Sequence, residues 1–231
     1  MSRLCTPRFC GTRQRRADRG SRSGHRLGAG LEYRHRPVDV AEDLREGRSG
    51  ISRIASFDPT GFPHQNAGEV QDFRPTDYVR RIDPYQWGRS SLVAASALAW
   101  PPTTPVSTSS RSLRVVPTAW WADQRRVSGC RALTAQMVDG GFAAQDPALL
   151  GQLPANRLAN AVSEELGLTG ESLTLATACS ASNYAIGYGY DLLVSGEADV
   201  VIAGGADSVC RWAHAGFFRL GALTGTACAP L

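Results

Sequence analysis

Residues 172–203 constrain the fold most tightly, because they read as a strand, a helix and a second strand in direct succession. Ser172–Ala178 has the length and the β-branched, apolar content of a buried strand. Ser180–Val194 is a helix-length run rich in small residues, and Ala198–Ala203 returns to strand composition. Gly196 and the pair Gly204-Gly205 stand where the chain must turn. A strand–helix–strand unit is the building block of α/β folds. The expectation is therefore an α/β layer structure, with the strand ending at Ala178 central and the helix after Cys179 buried.

Further elements are legible upstream. Asp39 can cap a short helix through Glu46 that places Val40 and Leu44 on one face, with Gly47 at its end. Residues 57–73, broken by Pro59, Gly61 and Pro63, read as loop and short strand. A helix is expected from about Gly88 to Trp100, stopped by Pro101-Pro102. Another should run over Ala155–Leu166 after Pro154, with Leu158, Val162 and Leu166 on one face and Gly167 at its end. Residues 101–136 follow neither the helical nor the strand period. Only Val115-Val116 looks strand-like there, and regular structure is expected to resume by Met137.

Charge and cysteine usage exclude several classes. All 25 basic residues are Arg. Eight of them precede residue 27, with Asp18 the single acid among them, and the remainder of the chain is slightly acidic. No amphipathic period accompanies this basic stretch, so residues 1–36 read as an irregular leader, and neither a nucleic-acid nor a membrane partner is expected. No apolar run is long enough to span a bilayer. The six cysteines, at positions 5, 10, 130, 179, 210 and 228, form no C-x-x-C pair and no zinc-type spacing with histidine. The expectation is no metal site and a reducing, cytoplasmic setting with free thiols.

One thiol stands apart. Cys179 falls where the expected strand gives way to the expected helix, between Ala178 and the small residues Ser180 and Ala181. The start of a helix offers unpaired N–H groups and partial positive charge, which favour a thiolate. The narrow surroundings would let a thioester carbonyl reach the sulfur while the Cys179 backbone N–H points at the developing oxyanion. The competing reading is a small buried apolar cysteine. Cys210 and Cys228 read as core or surface thiols, since neither is expected to start a helix after a strand. His25 and His35 lie in the leader, His64 in the early loop, and His214 reads as a solvated or core-satisfied imidazole.

The run Leu173–Ser182, then Ala185-Ile186-Gly187, then Gly196–Asp207, resembles the active-site block of β-ketoacyl synthases. Glu46–Ile51, Phe57-Asp58-Pro59, Ala67-Gly68-Glu69-Val70 and Arg81-Ile82-Asp83-Pro84 resemble upstream family segments, in family order. Gly216-Phe217-Phe218 and Leu220-Gly221-Ala222-Leu223 extend the likeness, which covers most of residues 37–231 and is weak over 101–136. A thiolase or a chalcone-synthase-type enzyme fits less well around Gly47, Phe57 and Gly204.

The resemblance implies the amino-terminal half of a thiolase-like layered α/β fold that is duplicated in the family. It implies an acyltransferase of fatty acid or polyketide biosynthesis, in which Cys179 takes an acyl group and a malonyl-carrier donor then decarboxylates and attacks it. Acyl groups would arrive on the phosphopantetheine of acyl carrier protein or on coenzyme A, with no separate cofactor. A homodimer, or a heterodimer with a related condensing subunit, is implied as well. The family's catalytic histidines and lysine belong to its carboxy-terminal half, so this chain alone is expected to be inactive and prone to aggregate. The alternative is a catalytically inactive fragment or partner subunit that keeps only the half-fold. Two departures stand out: Gly28-Ala29-Gly30-Leu31 is a faint echo of the family's opening strand, and Pro117 and Trp120-Trp121 follow Val115-Val116 where the family has glycines. Correct spacing with foreign composition is what a disturbed reading frame produces.

Overall fold

The structure, a computed structural model, describes residues 45–99, 113–118 and 124–226. Its elements are β1 (Ile51–Arg53), β2 (Asn66–Gly68), α1 (Arg89–Ala99), β3 (Leu113–Thr118), α2 (Gln124–Gly140), α3 (Arg157–Leu166), α4 (Ala181–Ser195), β4 (Val200–Gly205) and α5 (Arg211–Arg219). A one-turn helix, Pro147–Leu150, starts at Asp146, whose carboxylate accepts the Ala148 N–H. The leader and all but the end of the helix expected over Asp39–Glu46 lie outside the described residues.

Among the described residues, two small sheets form. β1 and β2 pair antiparallel, and β3 and β4 pair parallel with Leu113 opposite Val200 and Thr118 opposite Gly205. α4 packs on both β3 and β4, and α1 packs on α3. The main core joins Phe73, Val79, Ile82, Trp87, Leu92, Ala95 and Ala161, so it sits between the 70–87 loop, α1 and α3. A second, smaller core joins Ala185 and Leu192 of α4 to Ala198, with Leu175 and Val201 against it.

Where the local signals are strong, the elements fall as expected. α1 forms over Arg89–Ala99 within the expected span, and α3 buries Leu158 and Val162. α3 stops at Gly167 and α4 at Gly196, each with the left-handed backbone that glycine adopts without steric penalty. A buried carboxylate then ties α3 to the loop before α1: Glu165 accepts the backbone N–H groups of Arg80 at 2.7 Å, Arg81 at 3.0 Å and Ile82 at 3.2 Å.

Three expectations need correction. Ser172–Ala178 is not a continuous strand; only Ser172 and Leu175 make isolated bridge pairings, and Ala178–Ser180 is a 3-10 turn. Strand composition records fitness for a pleated, half-buried surface, and it becomes a strand only where a neighbouring ladder exists. Val115-Val116 belongs to β3, as expected, but the described residues from Gln124 are already helical in α2, well before Met137. Among the α2 residues whose burial is described, Gly129 and Leu133 are buried, four apart, and a glycine on the packed face hides the apolar period. The helix after Cys179 is not buried all round. Ala181, Ala185, Gly189 and Leu192 face the protein, while Tyr184, Ile186, Tyr190 and Val194 are each more than half exposed.

Candidate functional site

Cys179 is the middle residue of the 3-10 turn Ala178–Ser180, and α4 follows directly. Two bonds close the turn: the Ala181 N–H donates to the Ala178 carbonyl, and the Ser180 hydroxyl donates to the Thr177 carbonyl at 3.2 Å. Ser180, the N-cap of α4, makes no side-chain capping bond. The Cys179 thiol is free and exposed. Its environment is thus an open turn at the start of a helix.

Ala178 has φ +53. A left-handed alanine brings its Cβ against the following carbonyl, at a cost of about 1–2 kcal/mol. The turn that presents Cys179 is therefore held against local preference by its surroundings.

α4 carries this turn on the sheet through its smallest residue. A Cβ placed on Gly189 would stand 2.9 Å from Val201 Cγ1 of β4, so the helix approaches the strand as closely as glycine permits. On the opposite side, Leu175, Asn183, Tyr184, Gly187, Tyr188 and Asp191 line an open groove. A helix that is apolar on every side is ordinarily enclosed, and the sequence signal for that was present in Tyr184, Ile186, Tyr188 and Tyr190.

The remaining candidates are placed elsewhere. His214 is buried and edge-on to Phe62, with ring centroids 4.9 Å apart. Its Nε2 lies 2.7 Å from the His64 carbonyl and must be the donor, because a carbonyl can only accept. The imidazole is core-satisfied, one of the two readings the sequence supports. Cys210 corrects an expectation: it is the N-cap of α5, a helix that follows β4, and its sulfur accepts the Ala213 N–H at 3.5 Å. It is nonetheless buried, unlike Cys179. Cys228 lies outside the described residues, and Cys130 is exposed on α2. Among the described residues no cluster of His, Cys, Asp and Glu could hold a metal ion, and no helix is long and apolar enough to cross a membrane.

Residues 28–230 match the family model for the beta-ketoacyl synthase N-terminal domain. Over 173 residues the chain is 30% identical to 3-oxoacyl-[acyl-carrier-protein] synthase 2 of Vibrio harveyi, a stretch that covers 71% of this chain and 40% of that protein. The structure is similar to the ishigamide ketosynthase/chain length factor, with a TM-score of 0.68 and 34% identity over 81% of this chain and 47% of that one. It shares its fold with a type II ketosynthase solved with its acyl-carrier protein and a hexaketide, at a TM-score of 0.59 and 18% identity over 81% of this chain and 45% of that one. These likenesses bear out a thiolase-type α/β fold. The chain spans less than half the length of each of these relatives.

Proposed function

The chain belongs to the β-ketoacyl synthase family, and from that premise we propose that Cys179 is its acyl-accepting nucleophile. The observation that carries the reading is the exposed thiol on the turn that heads α4, inside the matched region. Cys179 Sγ attacks the carbonyl carbon of an acyl thioester held on the phosphopantetheine of acyl carrier protein or on coenzyme A. The new C–S bond forms as the bond to the carrier sulfur breaks, and the carrier leaves as a thiol with the proton. The Cys179 backbone N–H serves the oxyanion of the tetrahedral intermediate. No separate cofactor takes part.

In the second half-reaction a malonyl thioester loses carbon dioxide, and its carbanion attacks the Cys179 thioester. This frees the cysteine and leaves a β-ketoacyl chain, two carbons longer, on the carrier. The step needs groups that stabilise charge on the malonyl thioester carbonyl. The sequence contains no lysine, and His214 is occupied by its bond to the His64 carbonyl. On this reading the chain by itself stops at the acyl-enzyme, and condensation requires the remainder of a family-length protein. The setting is cytoplasmic fatty acid or polyketide synthesis, with acyl carrier protein as partner. The enzyme works as a homodimer or beside a related condensing subunit.

The test is a paired assay on this chain: acyl transfer from an acyl-carrier thioester, and carbon dioxide release from malonyl-carrier protein. The reading expects a stable acyl-enzyme that disappears in Cys179→Ala, without carbon dioxide release. Sustained carbon dioxide release would show that the active site closes within these residues. Failure to acylate would favour the alternative, a catalytically silent fragment or partner subunit.

A further inference from the structure

α4 is buried on one side and open on the other. Ala181, Ala185, Gly189 and Leu192 face the protein, with Gly189 against Val201 of β4. Gly187 lies about 200° of helix away from Gly189, and a Cβ placed on it would meet nothing within 4 Å. The open side is arranged symmetrically around Gly187. Asn183 and Asp191 stand four residues before and after it, Tyr184 and Tyr190 three before and after, and all four are exposed. Each pair straddles the Gly187 line, at about 40° to either side for Asn183 and Asp191 and about 60° for the two tyrosines.

We propose that this side of α4 is an interface for a second copy of the chain, in which two α4 helices cross antiparallel about a two-fold axis at Gly187. An isologous contact presents one patch twice, so a residue a given number of places after Gly187 meets the residue as many places before it on the other copy. In that register the Asn183 amide donates to the Asp191 carboxylate of the second copy, and the reverse pair repeats the bond. Tyr184 meets Tyr190 in the same way, as an aromatic pair whose hydroxyls reach water at the edge. The row Asn183, Gly187, Asp191 is an i±4 ridge, the kind that interdigitates in the commonest helix crossing. The crossing point needs no more than a small residue, and position 187 has one. The open groove along Asn183, Gly187 and Asp191 is the space that the second helix enters. Any other occupant would have to bring an acceptor and a donor in matching order, whereas a second copy supplies both. The inference is independent of the role proposed for Cys179 and names the face through which copies associate.

The test is sedimentation velocity of the full chain over a concentration series, with circular dichroism as the folding control. The wild type is expected to pass from monomer to dimer as concentration rises. Asn183→Asp sets two carboxylates opposite each other at both ends of the crossing, and is expected to weaken the dimer at least about tenfold, because facing like charges repel. The double variant Asn183→Asp with Asp191→Asn exchanges donor and acceptor, so the same register regains both bonds. Its dimer should return to within about threefold of wild type. The two positions are eight residues apart, more than two helical turns, so they do not meet within one copy. A wild type that stays monomeric, or that forms particles of no fixed size, would overturn the inference. So would a dimer that Asn183→Asp leaves unchanged, which would put the homodimer on another face, and so would a double variant as weak as the single one. None of these results bears on acylation of Cys179, which is read separately.

Discussion

Gly189 of α4 lies so close to Val201 of β4 that any β-carbon at position 189 would stand 2.9 Å from the valine Cγ1. Gly187, two residues earlier, would meet nothing within 4 Å. The two glycines therefore predict opposite signs for one substitution. Alanine gains about 1 kcal/mol over glycine in a helix interior, so Gly187→Ala should stabilise by about that amount. At position 189 the same gain is opposed by overpacking worth about 1–3 kcal/mol, and a net loss of about 1 kcal/mol is expected. Urea unfolding of both variants checks this, and equal shifts for the two would show that α4 does not rest on β4 as described.

Glu165 predicts the largest stability loss. Its carboxylate accepts three consecutive backbone N–H groups, and the last of them belongs to the buried Ile82. Glu165→Gln replaces one accepting oxygen with an NH2 donor turned toward those amides. A destabilisation of about 2–3 kcal/mol is expected, since hydrogen bonds to a charged group are lost and a buried donor is left unpaired. A denaturation midpoint within error of wild type would contradict the clamp.

Ser96 predicts a gain. It is fully buried on α1, and its hydroxyl has no hydrogen-bond partner. Ser96→Ala removes an unsatisfied polar group and improves helix propensity, so thermal stability should rise by about 1 kcal/mol. A loss of similar size would mean that the hydroxyl is satisfied after all.

These outcomes also separate what the sequence reveals from what it hides. The ends of α3 and α4 were legible because Gly167 and Gly196 close them by local backbone chemistry, and Leu158 with Val162 displayed the packed face of α3. The stretch before Cys179 was misread as a strand because Leu173, Thr174 and Leu175 fit a pleated surface, whereas pairing depends on distant partners. α2 was hidden by Gly129 on its packed face. Cys179 was legible as a thiol at a helix start, but the left-handed Ala178 was not, since nothing in an alanine announces positive φ. The N-cap role of Cys210 was missed because capping is usually sought in Ser, Thr, Asp and Asn.

Acid should weaken the Phe57-Asp58-Pro59 turn. The Thr60 hydroxyl, then the Thr60 backbone N–H, hold the Asp58 carboxyl below its ordinary value of 3.8, with smaller pulls from Arg211 and Arg53 against slight desolvation. A carboxyl depressed in the folded state contributes stability above its unfolded value and loses it as pH falls through the folded one. The stability difference between wild type and Asp58→Asn should therefore be constant above about pH 5 and shrink below 3.8. A difference that stays unchanged on acidification would contradict the Thr60 bonds as the cause.

The central claim, that Cys179 is the acyl acceptor of a β-ketoacyl synthase, is tested most directly by peptide mass mapping after a limiting dose of acyl-carrier thioester. Exposure alone does not distinguish the candidates, because Cys130 and Cys179 are both accessible while Cys210 is buried. Of the two exposed thiols, Cys179 lies on the turn that heads α4, whereas Cys130 lies within α2. The account predicts the acyl mass on the peptide containing Cys179, with Cys130 unmodified at the same dose. Acylation of Cys130 at an equal or greater rate would contradict it.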